Sequence, residues 1–451
     1  MTGVLRVAVV GAGPAGVYAT EALLRYADDV LVDVLDGLPA PYGLVRYGVA
    51  PDHPRTQSIA DALGAVLSRP GARFLGNVHI GADLTPEELR AHYDAVLVAT
   101  GAAADRRMEV PGEDLPGCIS ATELVAWYNG HPDVAPDRFR LDAETVVVVG
   151  AGNVAGDVAR MLARTPDELR ATDVPERVLA TFAASAVRDV HLVARRGPVQ
   201  ARFTTRELRE LGELGGADVL VDPADLEPDD LSREQLVTSP AARRNLEVLQ
   251  GWARRPAAGR ARRVQLRFHT APVAVLGAAA VPRVTGIRLE RTRVEPDGSP
   301  VGTGETLDIA AQLVVRAVGY RSLPLPGLPF DTVAGVVPNE EGRVVGEGGA
   351  VTGWYVAGWA KRGPSGVIGT NKHDARETVR TLLADLPALP AAAEPDPAAI
   401  DALLARRGVQ VVDWAGWCAV DAAERAAGAA QGRTRAKVAD RAELLRLASH
   451  R

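Results

Sequence analysis

Cysteine and long apolar runs are scarce in this chain, and each scarcity excludes a class of protein. The two cysteines, Cys118 and Cys418, lie far apart and form no C-x-x-C pair, so the spacing supports neither a redox dithiol nor a metal site. No apolar stretch approaches the roughly 20 residues that cross a bilayer. The chain runs from Met1 almost directly into an apolar strand without a basic leader. We therefore expect a cytoplasmic protein with no membrane insertion.

An excess of positive charge is also missing. The chain has 51 basic and 57 acidic residues, which gives a formal net charge of −6. This balance argues against a nucleic-acid partner, which requires a broad positive surface. With 451 residues the chain is long enough for two or three domains.

The first 36 residues show the pattern strand, glycine-rich turn, helix, strand. After the apolar residues 5–10, the turn has the pattern G-x-G-x-x-G at Gly11, Gly13 and Gly16. Such a turn brings backbone and a helix N-terminus close to a pyrophosphate. Asp36, at the end of the second strand, can accept hydrogen bonds from the ribose of an adenosine. The pattern predicts a dinucleotide site.

A second unit of the same kind has the pattern G-x-G-x-x-A at Gly150, Gly152 and Ala155. Where a ribose-binding acid would stand, this unit has Arg195 and Arg196. Guanidinium groups bind a 2′-phosphate that a carboxylate would repel, so this unit should select NADP(H) over NAD(H). Because a hydride from nicotinamide needs an acceptor, we predict FAD on the first unit and NADP(H) on the second.

Several longer strings extend these motifs. They are Gly11 to Gly16, Pro41-Tyr42-Gly43-Leu44-Val45-Arg46, Gly48-Val49-Ala50-Pro51-Asp52-His53-Pro54, Gly76-Asn77-Val78, Pro111-Gly112-Glu113, Trp127-Tyr128-Asn129, Gly152-Asn153-Val154-Ala155, Arg195-Arg196-Gly197-Pro198, Phe203-Thr204-Thr205 and Lys361-Arg362-Gly363-Pro364-Ser365-Gly366-Val367-Ile368-Gly369-Thr370. Together they resemble the adrenodoxin-reductase type of ferredoxin–NADP reductase, over residues 7–372 and more loosely in the tail.

This resemblance implies an α/β protein with two Rossmann-like dinucleotide-binding domains in a glutathione-reductase-like arrangement. The expected FAD-binding domain is discontinuous and comprises residues 1–103 and 325–451. The expected NADP-binding domain comprises residues 104–324. A linker rich in proline and alanine follows Leu389. We expect the tail from about residue 398 to be an appendage that packs on the surface of the first domain.

The motifs and the resemblance together predict the cofactor contacts. For FAD the predicted residues are Gly11, Gly13, Ala15, Gly16, Asp36, Leu44, Ile80, Trp359, Gly366, Val367 and Ile368. For NADP they are Gly152, Asn153, Val154, Ala155, Arg195, Arg196, Glu207 and Gly366. Asp36 is one methylene shorter than the glutamate that the family has at this position.

Two polar residues are candidates for the surroundings of the nicotinamide and flavin. His53 stands in the turn 50–54, and Glu210 lies one helical turn beyond Glu207. The alternative is that His53 only ties down its turn and that Glu210 belongs to a solvated helix face. Asp157 is a weaker candidate, because an acid early in a helix is favoured by the helix dipole anyway.

The resemblance implies an oxidoreductase that transfers a hydride from NADPH to FAD and then single electrons to a ferredoxin. Haem monooxygenases are examples of the downstream acceptors. For ferredoxin docking, Arg209, Arg243 and Arg244 are candidates, while Asn245 falls where a basic residue is expected. We expect a monomer. Two rivals share the nucleotide sites: a flavin monooxygenase or NADPH oxidase that reduces oxygen, and an idle flavoprotein that serves as a scaffold.

Overall fold

The structure, a computed structural model, describes residues 4–278 and 281–449. The first three residues, on which the expectation about a leader partly rests, lie outside this range. Within the described ranges, no helix combines the length and the apolar character that a bilayer crossing requires. The same residues contain no group of three or more His, Cys, Asp or Glu side chains that could hold a metal ion.

The described chain alternates strands and helices. The strands are β1 (Leu5–Val10), β2 (Val30–Asp36), β3 (Ala72–Gly76), β4 (Ala95–Val98), β5 (Ala104–Asp105), β6 (Cys118–Ser120), β7 (Thr145–Val149), β8 (Asp189–Val193), β9 (Ala217–Val221), β10 (Arg262–Arg267), β11 (Thr270–Ala278), β12 (Val281–Val294), β13 (Pro300–Ala310), β14 (Leu313–Arg316), β15 (Tyr320–Arg321), β16 (Asn339–Glu340), β17 (Arg343–Gly346) and β18 (Gly349–Val356).

Helices fill the connections between these strands. The α-helices are α1 (Pro14–Tyr26), α2 (Leu44–Tyr47), α3 (Pro54–Gln57), α4 (Ile59–Leu67), α5 (Pro86–His92), α6 (Ala121–Tyr128), α7 (Asn153–Ala163), α8 (Pro166–Arg170), α9 (Glu176–Ala183), α10 (Thr205–Leu211), α11 (Asp230–Thr238), α12 (Pro240–Ala253), α13 (Trp359–Arg362), α14 (Thr370–Asp385), α15 (Pro397–Arg406), α16 (Trp414–Ala429) and α17 (Arg441–Ser449). Short 3-10 helices lie at Pro198–Gln200, Pro223–Leu226 and Leu386–Ala388.

The chain divides into two compact units, and the first is discontinuous. It comprises Met1–Ala104, Asn129–Ala135 and Tyr320–Arg451, and the second comprises Asp105–Tyr128 and Pro136–Gly319. The predicted boundaries placed residues 129–135 in the nucleotide domain that is inserted into the chain. They lie in the first unit because polar contacts tie them to its C-terminal part: Asn129 accepts a hydrogen bond from Lys437, and Asp133 pairs with Arg441.

The first unit is built on a seven-stranded sheet in the order β16-β17-β18-β4-β1-β2-β3. The strands from β18 to β3 are parallel, and β16 and β17 add an antiparallel edge. Because helices cover both faces of the sheet, β1 is buried along its whole length and consists mainly of apolar residues. Val7 and Val9 join the core on the side of α1 and α14, and Ala8 and Val10 join the core on the side of α5 and α15.

The second unit contains a six-stranded sheet in the order β6-β14-β7-β8-β10-β9, in which all strands are parallel. The valine run of β7 sits at its centre. A separate antiparallel sheet, β11-β12-β13, is also part of this unit. Each unit therefore contains the strand–helix–strand arrangement with parallel strands that its glycine-rich turn predicted.

The C-terminal tail corrects one expectation. Its helices α15, α16 and α17 do not merely cover the surface of the first unit. Trp417 of α16 and Leu444 of α17 are buried in the same core cluster as β1 and α1, and Ile400 of α15 joins the cluster on the opposite face. Val412 also pairs with Gly76 through two backbone hydrogen bonds of 2.8 and 2.9 Å, at the end of β3. The tail is thus an integral part of the core, because its apolar residues complete that core.

Candidate functional site

The three glycines of the first turn meet different steric demands. Gly11 has φ +113°, and a Cβ there would lie 2.4 Å from the carbonyl oxygen of Ala99. A Cβ on Gly16 would lie 1.9 Å from the carbonyl oxygen of Gly11. At Gly13 the nearest atom to a Cβ would be 3.9 Å away, so the protein itself leaves room there. Gly11 and Gly16 are required by the fold, whereas Gly13 keeps a space open beside the turn where a pyrophosphate fits.

The N-terminus of α1 lacks a side-chain cap. Gly13, which has no side chain, is the N-cap residue, and no acid lies in the first turn of the helix. By contrast, α5 begins with a capping box formed by Thr85 and Glu88. The free N–H groups and the positive end of the dipole of this 13-residue helix are therefore available to a negatively charged ligand.

Asp36 stands where the sequence predicts the ribose. It ends β2, and its two carboxylate oxygens accept hydrogen bonds from the backbone N–H of Ala12 at 2.7 Å and of Leu38 at 2.9 Å. Burial raises the pKa of this carboxyl, and the two N–H donors oppose part of that rise. Each oxygen keeps a further lone pair for a hydroxyl group. Asp36 therefore fixes the glycine-rich turn and can accept from a ribose as well.

Two of the remaining predicted FAD residues, Leu44 and Trp359, directly follow glycines that contact this turn. Gly43, just before Leu44, lies against Gly13: a Cβ on Gly43 would be 3.1 Å from the Cα of Gly13. Gly358, just before Trp359, lies against Ala15 in the first turn of α1, where a Cβ would approach the Ala15 methyl to 2.5 Å.

Two further predicted segments also belong to the first unit. Ile80 lies two residues beyond Val78, whose N–H donates to the carbonyl of Asp36 at 2.9 Å. The loop Gly366, Val367 and Ile368 leads into α14, and Gly366 has φ +79°. The indole N–H of Trp359 donates to the carbonyl of Ser365 at 3.1 Å and ties α13 to this loop.

The second glycine-rich turn repeats the steric pattern. At Gly150 a Cβ would lie 2.4 Å from the carbonyl oxygen of Ala317, whereas at Gly152 it would meet no atom within 4 Å. Ala155 replaces the third glycine and is fully buried, so this turn has room for one methyl group. Helix α7 begins after Gly152 with no side-chain cap and no acid in its first turn. It offers a second N-terminus to an anion.

Three arginines lie beside this second turn, although the sequence predicted two. Arg195 and Arg196 follow β8, and the backbone N–H of Arg202 donates to the carbonyl of Ala151 at 2.7 Å. Partial burial lowers the pKa of Arg196, and the charges of Arg195 and Arg202 lower it further. In the described part of the chain, no hydrogen bond or ion pair engages these three guanidinium groups. Grouped positive charges without counter-charges are typical of a site for a phosphate dianion.

Two of the other predicted NADP residues and one nicotinamide candidate have polar partners at α7 and α10. The side chain of Asn153 accepts from the N–H of Thr204 at 2.8 Å, and Glu207 accepts from the Thr204 hydroxyl at 2.8 Å. Glu210 accepts from Arg206 at 2.9 Å and lies 3.8 Å from the buried Arg160. Glu210 is therefore held by charged neighbours and is not simply a solvated residue.

The weaker acidic candidate and the histidine are placed as follows. Asp157 accepts from Arg160 at 2.9 Å, which accounts for an acid at this point of α7. His53 is buried and is the N-cap residue of α3, where its carbonyl accepts from Thr56 and Gln57. His53 belongs to the first unit and Glu210 to the second.

The predicted docking residues lie on α10 and α12. Arg209 lines a cleft with Trp252 and Arg255. Arg243 donates to the carbonyls of Leu236 and Val237 at the end of α11, so it also stabilises that helix. Asn245 is buried and donates to the carbonyl of Phe203 at 2.8 Å. This structural bond explains why Asn245 does not carry the basic charge expected of a docking surface.

Neither cysteine has the properties of a reactive thiol. Both are unpaired. Burial raises the pKa of Cys118 to about 11, and burial also raises the pKa of Cys418. Because the thiolate is the nucleophilic form, a raised pKa lowers the reactive fraction of each thiol at neutral pH.

Comparisons with known proteins agree with this geometry. Residues 5–213 match the family model described as pyridine nucleotide-disulphide oxidoreductase. The chain is 45% identical over 460 residues to NADPH-ferredoxin reductase FprA of Mycobacterium tuberculosis, and the match covers 98% of both chains. It is 41% identical over 465 residues to the mitochondrial NADPH:adrenodoxin oxidoreductase of Bos taurus, a match that covers 99% of this chain and 92% of that protein.

A solved structure points the same way. The structure of Mycobacterium tuberculosis FprA in complex with NADPH has 43% sequence identity and a TM-score of 0.92, and the match covers 99% of this chain and 100% of that one. Two mainly parallel sheets, each with a glycine-rich turn before a helix without a side-chain cap, agree with the class of pyridine nucleotide oxidoreductases. The chain belongs to the adrenodoxin-reductase type of ferredoxin–NADP reductases. The resemblance, the fold class and the class of enzyme predicted from the sequence are confirmed.

Proposed function

We propose that this chain is an FAD-dependent NADPH–ferredoxin reductase. The observation that carries the proposal is the difference between its two uncapped helix N-termini: an acid, Asp36, stands by the first, and Arg195, Arg196 and Arg202 stand by the second. Two sites of unlike charge fit two different nucleotides. The predicted cofactors, FAD and NADP(H), are confirmed for this family.

When bound, FAD would supply the hydride chemistry with NADPH and the release of single electrons to an iron–sulfur partner. The role of the protein is to hold and orient the two nucleotides. We assign the FAD pyrophosphate to the N-terminus of α1 and the open space at Gly13, and the adenosine ribose to Asp36. Leu44, Ile80, Trp359 and the loop Gly366–Ile368 complete the predicted site.

For NADP(H), the N-terminus of α7 and the open space at Gly152 receive the pyrophosphate, and the arginines receive the 2′-phosphate. Asn153, Val154, Ala155, Glu207 and Gly366 are the other proposed contacts. We assign His53 and Glu210 to the polar surroundings of the nicotinamide, and we support Glu210 by its place in a charged network and His53 by its burial.

The partner is proposed to be a ferredoxin, because the curated relatives carry ferredoxin or adrenodoxin in their names. Arg209, Arg243 and Arg244 are the proposed docking residues. Haem monooxygenases are proposed as downstream acceptors, with the protein working as a monomer in the cytoplasm. Two unpaired cysteines fit a reducing compartment.

Anaerobic titration of the purified protein with NADPH tests the proposal. One non-covalent FAD per chain should bleach on addition of NADPH, and oxidised ferredoxin should restore the yellow colour. Denaturation should release all the flavin. A protein without flavin, or with two flavins, would contradict the assignment of the two sites. Bleaching that only oxygen reverses, with stoichiometric peroxide, would indicate an NADPH oxidase instead, and a flavin that NADPH does not bleach would indicate a scaffold protein.

A further inference from the structure

The segment Tyr42–Arg46, which contains the proposed flavin contact Leu44, begins with a strained backbone. Tyr42 has φ +84°, in the left-handed region that a bulky side chain rarely adopts, and Gly43 has φ +49°. The N–H of Tyr42 donates to the carbonyl of Ala12 at 2.8 Å, so the segment is attached to the glycine-rich turn. Strain of this kind persists only where surrounding contacts hold the backbone in place.

Helix α16 provides contacts to Tyr42. The rings of Trp417 and Tyr42 form a T-shaped contact, with an interplanar angle of 84° and 5.7 Å between the ring centroids. The indole N–H of Trp417 donates to the Tyr42 hydroxyl at 3.4 Å. On the other side, the Tyr42 hydroxyl lies so close to Gly64 of α4 that a Cβ there would approach it to 2.7 Å. The phenol is therefore enclosed between α4 and α16.

A buried ion pair holds the other end of the segment. Arg46 donates two hydrogen bonds to Glu424 of α16, at 3.0 and 2.6 Å, and their side chains are 4% and 0% exposed. Burial opposes ionisation of Glu424, but the charges of Arg46 and Arg435 outweigh it and hold the pKa of this carboxyl below its ordinary value. Arg435 donates to Glu424 at 2.6 Å. Loss of the carboxylate charge would leave the buried guanidinium group of Arg46 without its ion-pair partner, whereas Arg435 would keep its pair with Asp421.

Two further contacts reach the same site from the region after α16. Lys437 donates to the carbonyl of Arg46 at 2.9 Å. Arg441 of α17 donates to the carbonyl of Gly37 at 3.0 Å and to the side chain of Asp133 at 2.7 Å. Gly37 directly follows Asp36, the proposed ribose acceptor. We call residues 414–449 the C-terminal clamp, since they contact the proposed FAD site at both the Tyr42–Arg46 segment and the Gly37 turn.

We propose that the C-terminal clamp is a positioning element for FAD, with Glu424, Trp417 and Arg441 as its positioning residues. The inference rests on the proposed function, because it presupposes FAD at the first turn. Without the clamp, Tyr42 is free to leave its strained conformation, and Gly43 and Leu44 move away from Gly13. FAD binds the held form of the segment better than the relaxed form, so the clamp and FAD stabilise each other.

The test compares FAD dissociation constants, measured by flavin fluorescence after removal and re-addition of FAD. Glu424→Gln keeps the shape of the side chain and removes its charge, and should raise the FAD dissociation constant by roughly tenfold or more. Trp417→Phe and Arg441→Gln should each raise it severalfold, and Glu424→Asp should recover part of the loss. The visible circular dichroism of the bound flavin should change as well, because it reports the surroundings of the ring.

Ile400→Val is the matched control. Ile400 is buried in α15, in the same C-terminal tail, but it packs in the core cluster on the opposite face of the sheet. This variant should lower the urea midpoint of the protein while its FAD dissociation constant and flavin spectrum stay unchanged. If Glu424→Gln does not yield folded protein, Trp417→Phe and Arg441→Gln decide the question.

The outcomes separate this inference from the proposed function. A wild-type protein that binds no FAD overturns the proposed function, and the clamp proposal fails with it. If the wild type binds FAD and the clamp variants bind it equally well, only the clamp proposal fails. It also fails if Ile400→Val, at an equal loss of urea stability, weakens FAD binding as much as the clamp variants do.

Discussion

At the scale of single residues, Arg202 adds to what the motif at the second turn predicted. The pair Arg195 and Arg196 follows directly from their position after β8, but Arg202 stands outside the motif. It joins the site because its backbone pairs with Ala151 in the glycine-rich turn. Three guanidinium groups around one 2′-phosphate should discriminate against NADH more strongly than two.

We therefore predict that Arg202→Ala lowers kcat/KM for NADPH and hardly changes it for NADH. Hydrogen bonds to charged groups contribute about 1.5 to 3 kcal/mol, so the loss should be roughly tenfold to a hundredfold, as for Arg195→Ala and Arg196→Ala. Steady-state kinetics with both nucleotides measure it. Arg170→Ala is the control, since Arg170 is an exposed residue of α8 paired with Asp167. An unchanged NADPH to NADH ratio in Arg202→Ala would show that two arginines bind the 2′-phosphate without the third.

At the scale of elements, the two strand–turn–helix units use glycine in two ways. Gly11, Gly16 and Gly150 are demanded by close backbone contacts within the protein. At Gly13 and Gly152 no close contact requires glycine, and both residues have ordinary negative φ values, −75° and −123°. The fold does not require their small size, and we propose that it serves the ligand.

This difference predicts opposite phenotypes. Gly152→Ala should fold with unchanged urea stability but raise the KM for NADPH at least severalfold, because the added methyl group occupies the space for the pyrophosphate. Gly13→Ala should likewise leave the apoprotein stable and weaken FAD binding. Gly16→Ala should destabilise the first unit itself, since its Cβ would overlap the Gly11 carbonyl. Urea unfolding and nucleotide titration distinguish these cases. Normal NADPH affinity in Gly152→Ala would place the pyrophosphate elsewhere.

Strand β8, which leads to the arginines, carries a histidine that makes stability depend on pH. Burial, and then the charge of Arg267, lower the pKa of His191 to about 4, from an ordinary value of 6.5. The folded state keeps His191 neutral, so the unfolded state binds the extra proton first as the pH falls. The contribution of neutral His191 to the free energy of unfolding is fully present above about pH 6.5, and it is lost as the pH falls towards about 4.

We expect the free energy of unfolding to fall between pH 7 and pH 5, and to fall less in His191→Gln. One pKa unit corresponds to about 1.4 kcal/mol, and partial exposure of His191 reduces the difference between wild type and variant to about 1 kcal/mol. Urea unfolding at the two pH values, followed by circular dichroism, provides the comparison. Equal losses in both proteins would mean that His191 has the same pKa folded and unfolded.

At the scale of the whole molecule, the net charge of −6 opposes an acidic ferredoxin. Encounter therefore depends on a local positive surface, for which Arg209 on α10 and Arg243 and Arg244 on α12 are proposed. Arg243 also bonds the end of α11, so Arg244, an exposed residue, offers the cleaner test of charge. Such surfaces steer association and fix orientation more than they add affinity.

Ferredoxin-dependent reduction of cytochrome c should therefore fall steeply with ionic strength. The Debye length shrinks from about 10 Å at 0.1 M salt to about 3 Å at 1 M, which screens the docking charges. Reduction of small uncharged quinones by NADPH should fall much less. Arg244→Glu should raise the KM for ferredoxin and leave flavin reduction by NADPH unchanged. An unaltered ferredoxin KM would place the docking surface on another part of the protein.

The features that the sequence determined by itself are local ones. The glycine-rich turns, Asp36 at the end of β2 and the arginine pair after β8 are set by short-range order, because a strand, a turn and a helix N-terminus are neighbours along the chain. The longer sequence strings shared with the family predicted further contact residues outside these turns. The same reasoning left the tail as a surface appendage.

Tertiary structure alone decided what lies far apart in sequence. Arg46 and Glu424 are 378 positions apart, and Arg441 and Gly37 are 404 apart, so no local pattern links them. Arg202 and Glu210 acquire their surroundings only when α7, α10 and the glycine-rich turn come together. Charges and apolar side chains acquire partners when the core packs, and this packing depends on the whole chain. For this reason only the structure shows that the tail is part of the first unit. The proposal that the tail clamps the FAD site rests on the same contacts.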